Sequence, residues 1–342
     1  MKAVILNQHG GPEVLEYVED FPMPELKPGE VLVKIKSTSL NKVDTVIRKG
    51  YPGLTLGFPH ILGGDIAGEV VDISQGIGDD LIGSRVVVYP LILPNERNPK
   101  YNGREHLNKG WKYFGMHLNG SYAEYVAVPT NSLIKLPDDI SYESAAALPV
   151  AGLTAYNAVV RVGRLNERDT FFIWGGSGGM GTIAIQVAKA SGATVIATCG
   201  KNDKKQTLLD LGADYVFNHH EDDVLAEVKK LFPDGIDLVL DYVGPVTFDK
   251  SFAMVATGGK ILLCGMITGR EVNLNIQQTY FRQISINGLF LGAQHDFSNL
   301  LQLVAADEVK PVIARTFDLK DMAEAHKLLE SGDFVGKIMI NI

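Results

Sequence analysis

The apolar run Phe171–Trp174 leads directly into Gly175-Gly176-Ser177-Gly178-Gly179-Met180-Gly181, and a helical stretch follows. Within it, Gly176, Gly178 and Gly181 have the spacing G-x-G-x-x-G. One glycine permits a tight turn, one lets a pyrophosphate approach the backbone, and one lets helix and strand pack closely. Free N–H groups and the helix dipole at residues 180–182 would receive the phosphate charge, which makes Ser177, Gly178, Gly179 and Met180 candidate dinucleotide contacts. A turn built only for packing could also use glycine. Five glycines in seven positions, however, cost backbone entropy that packing alone rarely justifies.

A chain that binds NAD usually carries an acid about 20 residues after the first glycine, where it holds the ribose hydroxyls. Here that region reads Thr198-Cys199-Gly200-Lys201, and the nearest acid, Asp203, lies among Lys201, Lys204 and Lys205. Without the carboxylate a 2′-phosphate is not repelled, and the lysines attract it. The expectation is therefore NADPH in preference to NADH, with Gly200, Lys201 and Lys204 as contacts. The alternative is that the lysines form a solvated helix start.

The elements that position this turn are readable as alternation. From Asp138 onward strands such as FFIW, TVIATC, YVFN, IDLVLDYV and KILLCG alternate with helical stretches, the signature of a parallel sheet covered on both faces. Before Leu136 short β-like runs (31–35, 67–73, 85–89 and 121–128) are broken by Gly, Pro and Asn, as in a compact, mostly β domain. After Ser285 the tail, ending in KIMINI, is too small to stand alone and is expected to return to the first domain. The reading is α/β, with one domain over 1–137 and 285–342 and a doubly wound domain over 138–284. Their join is expected to form the ligand cleft.

The chain has 342 residues, 46% apolar and 21% charged, with a net charge of −8. That balance argues against a broad nucleic-acid or anionic-membrane footprint and favours a small-molecule partner. No stretch approaches the roughly 18 apolar residues of a membrane span, and Asn7, Gln8 and His9 end the first apolar run too early for a signal peptide. Two cysteines far apart, Cys199 and Cys264, make no disulfide framework, so a cytoplasmic location is expected.

The stretches NKVDTVIRKG, ILGGDIAGEVV, NGSYAEYVAVP, AALPVAGLTAYNAV, GGSGGMG, LDYVG and the closing Gly336-Lys337 follow one another in an order that resembles the medium-chain dehydrogenase/reductase superfamily, and within it the zinc-free quinone oxidoreductase branch. The resemblance implies a GroES-like catalytic domain built from both chain ends, together with a Rossmann domain. It also implies nicotinamide and ribose contacts at Thr154, Val243, Gly265, Met266, Phe290 and Leu291, with Asn218 and His219 towards the adenosine. His219 departs from a more usual tyrosine. Lys337 would approach the cofactor or lie on the surface.

Zinc-containing relatives place cysteine where this chain has Asn41, a His-Glu pair at Gly64-Asp65 and a third ligand at Val150. None of these three metal positions keeps a donor suited to zinc. A segment resembling the structural-zinc lobe, 94–108, holds Pro94, Arg97, Lys100 and Asn108 at its four cysteine positions. His60, His106 and His117 lie without a paired ligand at helical or hairpin spacing and read as surface or packing residues. No metal is expected.

Hydride transfer without a Lewis acid requires an acceptor that is already electrophilic, such as a quinone or a C=C bond conjugated to a carbonyl. Asn41 is the candidate donor to the acceptor oxygen, and Tyr51 could orient the acceptor or supply a proton, although a wall role serves as well. Asp44 and Asp65 are explained by a structural ion pair at least as well as by catalysis. The expectation is a zinc-independent, NADPH-dependent reductase of quinones or enones, assembled as a homodimer or homotetramer, with SINGLFLG as a candidate pairing edge. Two alternatives remain at this point: a non-catalytic NADPH-binding protein (a redox sensor or RNA-associated protein), and an alcohol dehydrogenase with an atypical metal site.

Overall fold

The computed structural model describes residues 1–94 and 96–342. It divides into two compact units, one of 1–153, 292–307 and 311–342, the other of 154–291 and 308–310.

The first unit is organised on the ten-residue strand Glu30–Ser39, whose Val31, Val33 and Ile35 alternate into a buried apolar core with Val70, Val86 and Val126. This strand pairs antiparallel with Ala67–Ile73 on one side and with Lys337–Asn341 on the other. Arg85–Val88, Leu133–Lys135, Tyr125–Pro129 and Ile313–Asp318 complete the seven-stranded sheet.

Register is what matters for the chemistry. Ser37 lies opposite Ala67 and Met339 opposite Ser39. Continuing each antiparallel ladder by two residues sets Asp65 across from Ser39 and Lys337 across from Asn41. The bond from Leu40 N to Ile338 O, 3.0 Å, shows that the second ladder does continue. The helix Lys42–Lys49 then starts immediately after Asn41, capped by the Asp44 carboxylate, which accepts from Asn41 N at 2.8 Å.

The second unit holds a six-stranded, wholly parallel sheet with the order Tyr215–Asn218, Thr194–Cys199, Thr170–Ile173, Ile236–Asp241, Val255–Leu263, Ser285–Gly288. Numbered along the chain this is 3-2-1-4-5-6, the doubly wound order, with its switch point between Thr170–Ile173 and Ile236–Asp241. Phe172, Trp174, Ile196, Val239 and Ile261 pack one face.

Two boundaries differ from the sequence reading. Residues 138–153 belong to the first unit, because the helix Tyr142–Ala146 buries Ala145 and Ala146 against its sheet. The strand Ser285–Gly288 belongs to the second, as the outermost strand of the parallel sheet. A βαβ series continues until its last parallel strand is paired, and this strand pairs with Val255–Leu263. No helix among the described residues is long and apolar enough to cross a membrane.

Candidate active site

In the second unit the glycine turn lies where the sheet order reverses. The twelve-residue helix Gly179–Ala190 begins right after Gly178, which provides no side-chain cap for its first N–H groups. Gly181 is required by close approach: a Cβ there would stand 2.6 Å from the carbonyl oxygen of Gly176. Across the switch point the Tyr242 hydroxyl donates to Gly175 O. Asp241, fully buried, accepts from Val243 N (3.1 Å), Gly244 N (3.1 Å), Thr247 Oγ1 (2.8 Å) and Ser251 Oγ (2.7 Å), and so fixes the loop after its strand. Sequence reasoning passed over Asp241, though an acid closing a buried strand was a signal that it serves as a cap.

Ser177, Gly178, Gly179, Met180 and Met266 are half-buried, and Gly200 lies beside the two histidine rings, within 3.5 Å of a Cβ built upon it. The structure thus brings Gly200 and His219 together. The ring of His219 packs against His220, 4.4 Å between centroids, and burial lowers its pKa, with His220, Lys250 and Lys204 adding to the effect. Lys201 is exposed, Lys204 is buried, and Lys205 is paired with Asp222 at 3.0 Å. Thr154 is buried in the helix Ala151–Tyr156, while Phe290 and Gly265 are exposed.

Four expected cofactor contacts are placed otherwise. The buried amide of Asn218 is used within the turn, accepting from His220 N (3.0 Å) and donating to Asn202 (3.2 Å). The Val243 carbonyl already accepts from Thr268 N and Thr268 Oγ1, both at 2.9 Å. The side chain of Leu291 is buried, and its carbonyl accepts from Asn157 at 2.6 Å. Lys337 is not an open cation at all. It is 4% exposed and belongs to the first unit.

There Asn41 and Val150 meet at one carboxylate, that of Asp65, the neighbour of Gly64 in the chain. Asp65, fully buried, accepts at Oδ2 from Asn41 Nδ2 (2.7 Å), from Lys337 Nζ (3.1 Å) and from Ser39 Oγ, and at Oδ1 from Val150 N (2.9 Å). Lys337 Nζ also donates to Asn41 Oδ1 (2.7 Å) and to Leu40 O (2.8 Å). At Gly64 the space is filled: a Cβ would stand 2.2 Å from the Tyr113 hydroxyl, whose ring is buried and whose oxygen has no hydrogen-bond partner among the described residues. A metal does not fit these residues, because the carboxylate is saturated by four donors and one of them is an ammonium. Among the described residues no cluster of three or more His, Cys, Asp or Glu could hold a metal ion.

A second buried chain runs away from this point. Arg48 can only donate, so its 2.9 Å contact makes His326 Nδ1 an acceptor and leaves the proton of the neutral ring on Nε2. His326 Nε2 then donates to the Tyr122 oxygen (3.2 Å), and Tyr122 donates to Asp44 Oδ2 (2.9 Å). Burial holds the Asp44 carboxyl up at about 7 and depresses His326 to about 3. Asp44 Oδ1 has no partner. The ion pair considered for both acids is therefore present at Asp65 and, among the described residues, absent at Asp44.

Tyr51, half-buried, follows the helix Lys42–Lys49 and is not among the partners of the Asp65 network. His60 is buried and bonded to Gly115 O at 3.1 Å, His106 is also buried, and exposed His117 accepts from Tyr113 N at 3.2 Å. In the lobe, which contains the undescribed Asn95 beside Pro94 and Arg97, Asn108 ties the loop by accepting from Asn98 N (2.8 Å) and donating to Glu105 O (3.0 Å). Lys100 is exposed there. Cys199 and Cys264 are unpaired.

Residues 27–138 match the alcohol dehydrogenase GroES-like domain and residues 179–306 the zinc-binding dehydrogenase family. An NAD-dependent alcohol dehydrogenase of Sulfurisphaera tokodaii is 32% identical over 98% of this chain and 99% of its own length. The chain belongs to the medium-chain dehydrogenase/reductase superfamily. The human quinone oxidoreductase is 27% identical over 99% of this chain and 97% of its own. A crystal structure of an NAD-dependent alcohol dehydrogenase superposes with a TM-score of 0.94 at 35% identity over the whole of both chains. The chain is thus an oxidoreductase of a pyridine-nucleotide-dependent family, with a GroES-like domain and a Rossmann-like parallel sheet.

Proposed function

We propose that this chain is an NADPH-dependent reductase of quinones or α,β-unsaturated carbonyls that works without zinc. The observation that carries this reading is the saturation of Asp65 by Asn41, Lys337, Ser39 and Val150 where zinc relatives hold their metal. NADPH, when bound, supplies a hydride. The chain's own residues bind and orient. The glycine turn and the start of the helix Gly179–Ala190 take the pyrophosphate, and Lys201 and Lys204 attract the 2′-phosphate. Asn41 donates through Nδ2 to the acceptor oxygen as negative charge gathers there. An acceptor already polarised by conjugation needs no Lewis acid.

The names of the relatives support a second reading, alcohol dehydrogenation, since a curated NAD-dependent alcohol dehydrogenase matches at 32% identity and a solved structure of that description at 35%. Steady-state oxidation of NADPH with a panel of quinones and enones, beside NAD⁺ reduction with primary and secondary alcohols, separates the two. Turnover of quinones that is unchanged by chelator treatment is expected. Alcohol turnover that falls on chelation and returns with zinc would establish the second reading, and tight NADPH binding with no turnover would establish a binding protein. We also propose a homodimer contact on the edge of Ser285–Gly288, unpaired among the described residues and preceded in the chain by a helix that exposes Ile276 (74%) and Phe281 (65%). Sedimentation velocity tests that contact.

A further inference from the structure

We propose that Lys337 is a positioning residue that fixes which face of the Asn41 amide meets the acceptor. The inference rests on the reading of Asn41 as the donor to the acceptor oxygen. An asparagine amide can present either its oxygen or its nitrogen, and only the nitrogen can stabilise a developing negative charge. Lys337 removes that choice. Its ammonium has three protons, and they go to Asn41 Oδ1, Leu40 O and Asp65 Oδ2. The Asn41 oxygen is thereby held against the cation, and Nδ2 is left to the carboxylate and to the acceptor.

One Nδ2 proton is given to Asp65 Oδ2 at 2.7 Å. The second has no acceptor among the described residues, although the side chain is only 7% exposed. Burial of the pair, Lys337 at 4% and Asp65 at 0%, keeps water from competing for either end. Asp65 in turn is held by Val150 N and Ser39 Oγ, so the amide is clamped at both of its polar atoms. The ammonium supplies a fixed positive charge behind Asn41 and polarises its free N–H.

The test is a double-mutant cycle on Asn41→Ala and Lys337→Met, read as kcat with a quinone and as the Kd of NADPH by fluorescence titration. Loss of one such donor costs roughly 100-fold in kcat, so Asn41→Ala is expected to lose about that much and Lys337→Met about tenfold or more. Lys337→Met should leave the NADPH Kd within about threefold, and it should cost nothing further once Asn41 is Ala. An equal loss from Lys337→Met in both backgrounds, or a tenfold weaker Kd for NADPH, overturns the proposal.

The Asn41 Nδ2 proton resonances provide a readout independent of turnover. They should lose exchange protection in Lys337→Met, and unchanged resonances overturn the proposal. If Asn41→Ala keeps full activity while these resonances respond, the donor reading fails and the positioning stands. Where Lys337→Met leaves Asp65 buried without its counter-ion and the chain does not fold, Asp65→Asn with Lys337→Met removes both charges and serves in its place.

Discussion

The glycine turn of the second unit and the Asp65 network of the first both present polar groups, but from different material. The turn uses backbone: N–H groups at a helix start, with glycines where a Cβ would collide. The network uses side chains from 39, 41, 65 and 337, together with the N–H of residue 150, brought together by two antiparallel ladders. A backbone site tolerates substitution wherever a Cβ has room, and at Gly181 it has none. A side-chain site depends on each neighbour being satisfied, and it fails when one partner changes.

The sharpest way to break this contrast is to restore the missing donor in the network. Gly64→His must displace the buried Tyr113 ring, since even a Cβ there comes within 2.2 Å of its hydroxyl. We expect a loss of about 3–5 kcal/mol in urea unfolding, partly relieved by adding Tyr113→Ala. A Gly64→His protein as stable as the parent would mean that the space is not committed to Tyr113.

The next effect is one of pH. The Asp44 carboxyl is held at about 7 in the folded state by burial, against about 4 when unfolded. Its contribution to stability is therefore full below pH ~4 and is lost as pH rises to ~7, about 4 kcal/mol in all. His326, depressed to about 3 by burial, acts in the opposite sense. Its contribution is full above pH ~6.5 and is lost as pH falls towards ~3. Between pH ~4 and ~6.5 the two slopes offset each other. Asp44→Asn should expose the His326 slope, so that stability rises by about 3 kcal/mol over that range, and it should exceed the parent's stability above pH ~7. Parallel profiles for parent and variant would show that Asp44 does not titrate as its burial requires.

The same contrast explains what the residue order revealed. The doubly wound unit was legible because its strands are unbroken apolar runs and its turn carries glycines at a fixed spacing, both local signals. The vacancy at Asn41, Gly64 and Val150 was legible only through resemblance, as an absence. What occupies it was not: Lys337 lies 296 residues from Asn41 in the chain and meets it through strand register, which no local pattern encodes. Tyr113 reaches Gly64 from a two-residue strand. Asn218 and Val243 were assigned to the cofactor because they end parallel strands, but a strand end also has to close its own turn, and their polar atoms are spent on that.

On the backbone side the expected effect is smaller. Gly181→Ala brings a Cβ to 2.6 Å from Gly176 O, and neither group is a side chain that can swing away. The turn must open, and NADPH affinity should fall roughly 30-fold, about 2 kcal/mol, by fluorescence titration. Affinity within threefold of the parent would mean that the turn adapts as a loop and not as a fixed cradle.

The smallest effect separates the charge at the adenosine end from the turn itself. Of the three lysines there, Lys205 is paired with Asp222, and Lys201 and Lys204 are the two proposed to attract a 2′-phosphate. Lys201 is exposed, so its attraction is screened, and Lys204 is buried, so its charge acts through a lower dielectric. Lys201→Ala with Lys204→Ala should lower the NADPH-to-NADH affinity ratio roughly tenfold, about 1.4 kcal/mol, with most of the change coming from NADPH. The loss should shrink in high salt if Lys201 carries it and persist if Lys204 does. An unchanged ratio at both ionic strengths would assign the lysines to a solvated helix start.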